Sequence, residues 1–325
     1  MTVKHRLLQI SGACLLAVCL DAAAQTPYPG KPVRWVVPYP PAGGADIVVR
    51  IIAQRLAAST GQPVVVENRA GAGGNVGSEM VAKAAPDGYT ILLANVAPMA
   101  INVTLYAKLP YDPVRDFAPI TLLASFPNVL VLHPSLPARS VTELVKLARA
   151  RPGQLSYASA GSGSTTHLSA ELFKTMGGLD MLHVPYRGGA QALTDLLGGQ
   201  ISMYFSALPG AMPHINNARL RALAVTSARR SVAAPEIPTM AESGFPGYEA
   251  DTWIGVVAPA GTPRVAISRL HDEITRILSA AEVRERLLAQ GAEPLTNTPE
   301  QFAAHIKSEI VKWAKVIKAS GARAE

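Results

Sequence analysis

Apolar and polar positions along this chain follow two periods, and the switches between them mark its elements. Val33 to Pro38 is a short apolar run that predicts a buried strand. Asp46 to Ser59 repeats its apolar residues at helical spacing behind an acidic residue, predicting a helix capped by Asp46. Val64 to Glu67 predicts a second strand, Asn75 to Ala85 a helix halted by Pro86-Asp87-Gly88, and Tyr89 to Ala94 a third strand. A β-α-β-α-β order implies a parallel sheet with helices on its faces.

The pattern then restarts. Val129 to His133 predicts a strand, and Val141 to Ala150 a helix ended by Pro152-Gly153. Ser156 to Ser159 predicts a strand, Thr165 to Met176 a helix ended by Gly177-Gly178, Ala190 to Leu197 another helix, and Ile201 to Phe205 another strand. A second α/β lobe is the simplest account. Pro235 to Pro263 is rich in Pro and Gly around one short apolar strand, Trp253 to Ala258, and reads as the chain crossing back to the first lobe. Two helices follow. In the last, Phe302, Ile306, Ile310, Trp313 and Ile317 stand at spacings of 4, 4, 3 and 4 and line one face for core packing.

The first 24 residues have a different character. Lys4, His5 and Arg6 precede an apolar stretch from Leu7 to Leu20, and Ala22-Ala23-Ala24 supplies small residues for cleavage. This is the pattern of a secretory signal peptide, too short to span a bilayer, and it predicts export to the periplasm with cleavage after Ala24. Both cysteines, Cys14 and Cys19, fall inside it and neither fits a lipobox. The remaining chain therefore has no disulfide, thiolate metal site or cysteine nucleophile. At 49% hydrophobic residues it is long enough for one large or two medium cores. The net charge of +7 is scattered, with no basic stripe, which excludes nucleic acid as a partner and mildly favours anionic solutes.

The candidate chemistry lies in one repeated device: a strand, a Gly- or Ser-rich turn, then a helix. It occurs at Pro41 to Asp46, at Asn68 to Asn75, at Ser159 to His167 and, more weakly, at Pro185 to Gly189. The first N–H groups of a helix have no partner within it, and the helix dipole makes that end partly positive. Glycine admits a ligand close to the backbone and Ser/Thr add hydroxyl donors, so each turn is a ready anion site. In parallel α/β sheets such turns share the carboxyl edge. A single Gly-rich turn is also what any tight strand-to-helix connection needs; four on one edge are harder to explain that way.

Enzyme motifs are lacking. Gly71 to Val76 fails the dinucleotide fingerprint, because Val76 holds the third glycine position, and there is no Walker motif, nucleophile elbow or HExxH. The histidines show no metal-ligand spacing, so neither a metal nor a cofactor is expected. Ser164 and His167, three apart on a helix, leave a hydrolase as a remote alternative without an evident acid partner.

Ordered motifs along nearly the whole chain resemble those of the Bug proteins, the TctC-type periplasmic substrate-binding receptors of tripartite tricarboxylate transporters. They include Tyr28 to Pro32, Pro38 to Asp46, Val66 to Arg69 with Gly71 to Gly74, Pro86 to Thr90 and Asp116-Phe117. They continue through Ser156 to Leu168, Val184 to Gly188, Leu223 to Ser227, Pro238-Thr239 with Glu242 and Gly244, Trp253 to Gly255, and Ala258 to Pro263. The resemblance implies a type II periplasmic binding protein, a Venus flytrap of two α/β lobes. The first lobe would comprise residues 25–125 and 249–325, and the second 126–248. Hinge closure would bury a small mono- or dicarboxylate, an aromatic one included. It further implies ligand contacts from Tyr39, Ala42, Gly43, Gly44, Asp46, Ala72 and Gly73 in the first lobe. Ser159, Ser164, Thr165 and His167 would face them, with Arg187, Ser206 and Asp251 at the rim or floor. Asn68 and Arg69 would brace the loop. A monomer that hands its solute to integral membrane transporter subunits is the implied role; the alternative is a signalling receptor that presents its ligand to a sensor kinase.

Overall fold

The apolar runs become strands covered on both faces. In the computed structural model, which describes residues 28–41, 43–186 and 188–323, β1 (Val33–Val37) lies between β2 (Val64–Asn68) and β3 (Thr90–Asn95), parallel to both. α1 (Gly44–Thr60) links β1 to β2, and a single 3-10 turn (Ala72–Gly74) with α2 (Asn75–Ala82) links β2 to β3. Trp35 and Val37 face a core built with Val48, Val49, Ile52 and Leu56 of α1. The expected leader, Ala42 and Arg187 lie outside the described residues.

Beyond β3, a turn of π-helix (Ala97–Ile101) and α3 (Asn102–Leu105) lead to β4 (Phe117–Phe126). The chain then crosses through Pro127 into a second sheet. There β5 (Asn128–Leu132), α4 (Val141–Ala150), β6 (Ser156–Ser159), α5 (Thr165–Gly177), β7 (Leu182–Pro185), α6 (Gly189–Leu197), β8 (Met203–Ala207), α7 (Leu208–Asn216) and β9 (Arg221–Val225) follow in turn. It returns with β10 (Thr252–Pro259), then α8 (Arg264–Ser279), α9 (Ala281–Leu288), β11 (Glu293–Pro294) and α10 (Pro299–Ser320). The first sheet has order β11-β4-β10-β3-β1-β2 and the second β7-β6-β8-β5-β9. The result is two α/β lobes.

Three expectations change. The first sheet is mixed, because β10 runs antiparallel to β3 and β4. Three helices follow β10 where two were expected. And α1 begins at Gly44 with Gly43 as its cap, so Asp46 stands inside the first turn and is not the cap. Gly43 is already extended and its carbonyl accepts the N–H of Ile47, which starts the helix before the acid is reached.

The C-terminal helix joins the lobes. Its capping box at Thr298 and Gln301 fixes the start of α10, which packs on β4, the π turn and α5. Phe302, Ile306, Trp313 and Ile317 are buried as their spacing predicts. Between them lies a feature the apolar stripe conceals: Glu309, also buried, accepts hydrogen bonds of 2.9 Å from the indoles of both Trp253 and Trp313. One carboxylate thereby satisfies two buried donors, which would otherwise each be costly. No helix among the described residues is long and apolar enough to cross a membrane.

Gly255 of β10 marks the tightest point of this packing: a Cβ there would stand 2.4 Å from the Phe302 ring and 2.9 Å from Thr121 O. Gly255→Ala should therefore destabilise the protein by about 1–3 kcal/mol. Urea unfolding should read this as a lower midpoint at unchanged slope.

Candidate functional site

The carboxyl ends of β1, β2 and β3 leave the first sheet on one edge; β1 and β2 each feed a turn that opens a helix, and β3 runs directly into the π turn. At α1 the first-turn N–H groups have no side-chain cap, and Gly43 and Gly44 are exposed. The turn is braced from behind. Asp46 accepts from Arg50 Nε at 2.9 Å and from Asn68 Nδ2 at 2.8 Å. Asn68 also donates to Tyr39 O at 3.0 Å and accepts from Arg50 Nη2 at 2.8 Å. The Tyr39 hydroxyl donates to Asn95 Oδ1 at 2.9 Å, and burial pushes its phenol well above the ordinary range. Arg69 pairs with Glu67.

At the second turn, Gly71, Ala72, Gly73 and Gly74 have φ of 144°, 46°, 64° and 97°. Ala72 alone carries a Cβ in this left-handed run, the kind of local strain that clusters at ligand-binding loops. Ala72 and Gly73 are exposed, and Gly74 precedes α2 without a side-chain cap. Asn102 holds the turn by donating to Gly73 O at 3.3 Å and to Asn75 Oδ1 at 2.7 Å; Tyr111 donates to the same Oδ1 at 2.9 Å.

In the second lobe the turn between β6 and α5 is more heavily bonded. Ser164 caps α5 by accepting the His167 N–H at 3.2 Å, and its own hydroxyl donates to Gly161 O at 2.6 Å. Thr166 Oγ1 accepts the Ala160 N–H at 2.9 Å. His167 Nδ1 accepts the Gly163 N–H at 3.0 Å, and Ser159 Oγ lies 2.7 Å from His183 Nε2. Gly188, at φ 117°, precedes α6, again with no side-chain cap. Ser206 is buried at the end of β8 and donates to Ala207 O at 3.3 Å.

The second-lobe turn touches the first lobe at two points. Thr252 Oγ1 of β10 donates to Thr165 Oγ1 of α5 at 2.9 Å. Gly163 lies against Leu105 so closely that a Cβ would come within 2.5 Å of it. The Phe126 ring, at the end of β4, lies 3.4 Å from where a Gly44 Cβ would stand, which puts an aromatic wall beside the uncapped end of α1. Phe126 and His183 escape sequence reasoning because each is a lone residue whose neighbours come from distant strands. A separate cavity of about 500 Å³ between α7 and α9, lined by Leu208, Met212, Leu288 and Glu293 among others, is walled mainly by apolar side chains and lacks such turns.

The lobes are joined by two neighbouring crossings, with Phe126 paired to Thr252. Thr226 ties them together: its N–H donates to Asn128 O at 2.9 Å, its hydroxyl accepts the Asn128 N–H at 2.9 Å, and its carbonyl accepts the Ala250 N–H at 3.1 Å. Its hydroxyl reaches Asp251 Oδ1 at 2.8 Å. Burial pushes the Asp251 carboxyl up to about 7 against the pull of that hydrogen bond, with Glu249 and Glu293 adding to the rise.

This geometry is unfavourable to a Ser164/His167 dyad. The Ser164 hydroxyl donates to a carbonyl, and the His167 Nδ1 is occupied by a backbone N–H, so no nucleophile-to-base hydrogen bond forms. Among the described residues no group of three or more His, Cys, Asp or Glu is placed to hold a metal ion.

Two mixed α/β lobes joined by paired crossings are the architecture of periplasmic solute-binding proteins. The family model described as "Tripartite tricarboxylate transporter family receptor" matches residues 48–322. Protein BugT of Bordetella pertussis is 40% identical over 321 residues, 98% of each chain. The structure of R. palustris Rpa4515 with adipate is 39% identical, with a TM-score of 0.76 over 91% of this chain and 99% of the other. MatC from Rhodopseudomonas palustris with bound malate is 32% identical, with a TM-score of 0.72 over 89% of this chain and all of the other. The chain belongs to the TctC (Bug) family of solute-binding receptors.

Because the Asp251 carboxyl is raised from 3.8 to about 7 in the folded protein, the folded state binds more protons than the unfolded one between these values. Its contribution to stability is therefore present below about pH 4 and declines as pH rises to about 7. Asp251→Asn, which retains an acceptor for Thr226, should raise the melting temperature at pH 8 and change it little at pH 4. An equal shift at both values would contradict the assignment.

Proposed function

We propose that this protein captures a small mono- or dicarboxylate between its lobes and delivers it to the membrane subunits of a tripartite tricarboxylate-type transporter. What supports this reading is the pair of uncapped helix N-termini at Gly43 and Gly74 in the first lobe, together with the hydroxyl-rich Ser159–Thr165 turn that meets that lobe at Leu105 and Thr252. Backbone N–H groups at helix ends stabilise an anion without a cationic side chain. The first-lobe residues assigned to the ligand are Tyr39, Ala42, Gly43, Gly44, Ala72 and Gly73, with Asp46 holding the turn from behind. Ser159, Ser164 and Thr165 form the opposing wall, with His167, expected beside them, bonded to the Gly163 N–H, and Arg187, Ser206 and Asp251 around it. Relatives whose structures hold adipate and malate support a carboxylate, and the family description supports delivery to a transporter. The lobes would divide near residues 125 and 249, where the paired crossings lie.

The test is thermal unfolding of the mature protein against a series of linear dicarboxylates, malate and benzoate, followed by calorimetry. A carboxylate at a hundred times its Kd should add about 2.7 kcal/mol of stability. Stabilisation by uncharged sugars or cations alone would overturn the proposal.

A further inference from the structure

Behind the Ser159–Ser164 turn lies a stack of three rings. His183 of β7 stacks on His167 of α5 with centroids 4.0 Å apart and planes 14° apart, and on Tyr157 of β6 at 5.0 Å and 15°. The stack follows from strand register, since Tyr157 pairs with His183 across β6 and β7. Each imidazole grips the turn in front of it. His167 Nδ1 accepts the Gly163 N–H at 3.0 Å. His183 Nε2 meets Ser159 Oγ at 2.7 Å, and that oxygen accepts the Gly161 N–H at 3.2 Å.

We propose that His167 and His183 are positioning residues: the stacked pair holds the Ser159–Ser164 turn in its anion-receiving shape, and does so only while Nδ1 of His167 carries no proton. This rests on the turn being the second-lobe wall of the carboxylate site. The chemistry is one of acceptor supply. A neutral imidazole has one acceptor nitrogen, and in His167 the Gly163 N–H requires it to be Nδ1. A proton added there sets N–H against N–H, so the turn must move.

The titratable groups acting on His167 are His183 from β7 and Glu171 and Lys174 from its own helix. Glu171 Oε1 is 3.9 Å from His167 Nε2 and also accepts from Lys174 at 2.8 Å and from the Tyr157 hydroxyl. Burial, reinforced by His183 and Lys174 and opposed by Glu171, holds the His167 imidazole down at about 4, and burial lowers His183 too. The clamp is therefore set at neutral pH and released as pH falls through that value.

The first arm of the test needs no ligand. In amide NMR spectra of the whole mature protein, the Gly163 resonance should titrate with the midpoint of the His167 ring. It should stay fixed in His167→Asn, whose side-chain oxygen can take the place of Nδ1. His183→Ala, but not His183→Gln, should speed exchange of the Gly161 amide. The second arm measures adipate affinity. His167→Ala should bind about tenfold more weakly at pH 7.5, His167→Asn within about threefold of wild type. The affinity ratio of His167→Asn to wild type should grow as pH falls through about 4; protonation of adipate itself cancels in that ratio. A Gly163 amide indifferent to the ring, or Ala and Asn variants weakened alike, overturns the proposal. Absence of adipate binding at any pH would count against the proposed function, while the first arm would still decide the role of the clamp.

Discussion

An α-helix leaves its first N–H groups without partners inside it, and this constraint organises the molecule. α4 and α10 satisfy it with Ser140 and Thr298 caps. α1, α2 and α6 instead begin behind Gly43, Gly74 and Gly188, which offer no side chain to the orphan donors. Such donors are tolerable only where something else meets them, water or a ligand, and these turns lie at the carboxyl ends of their strands. Ser164 is the instructive exception. It caps α5, but its hydroxyl proton is directed to Gly161 O, so the cap shapes the turn as well as starting the helix.

Turns of this kind are useful only if held still, and the polar side chains behind them supply that restraint. Asp46, Asn68 and Arg50 bond one another behind the α1 turn, and Asn102 and Tyr111 both bond Asn75 behind Ala72–Gly74. Each side chain satisfies its neighbour, which lets polar groups be buried without stranded donors. A pre-shaped turn loses less conformational freedom when it receives a ligand, so more of the interaction appears as affinity.

What the sequence made legible was local. The helices of 141–150 and 165–177 and the strand of 156–159 could be read from spacing and caps, and the Gly- and Ser-rich turns announced themselves. What it concealed was pairing between distant segments. β4 and β9 are antiparallel strands whose partners lie far along the chain, and α7 begins at Leu208-Pro209 and contains Pro213, which masks its helical period. Asp46 looked like a cap because acids often are; Gly43 had already taken that place. His183 could not be linked to His167 until the β6–β7 register was known. Binding-protein identity was legible mainly through the family resemblance, whereas Ala42 and Arg187 fall outside the described residues.

At the paired crossings the two lobes are tied together through few atoms. Thr226 has one hydroxyl proton and two acceptors in reach, Asn128 O at 3.2 Å and Asp251 Oδ1 at 2.8 Å. Its choice depends on the charge of Asp251, because an ionised carboxylate is the stronger acceptor. From there, Asn128 Nδ2 extends to Ala250 O at 3.5 Å and to Ser169 Oγ at 3.4 Å, and Ser169 Oγ donates to Thr165 O at 2.7 Å in the first turn of α5. The same Thr165 receives the cross-lobe bond from Thr252. The paired crossings and the second-lobe turn are thus ends of one short hydrogen-bonded chain, so any change at the crossings meets the Ser159–Thr165 turn within a few side chains.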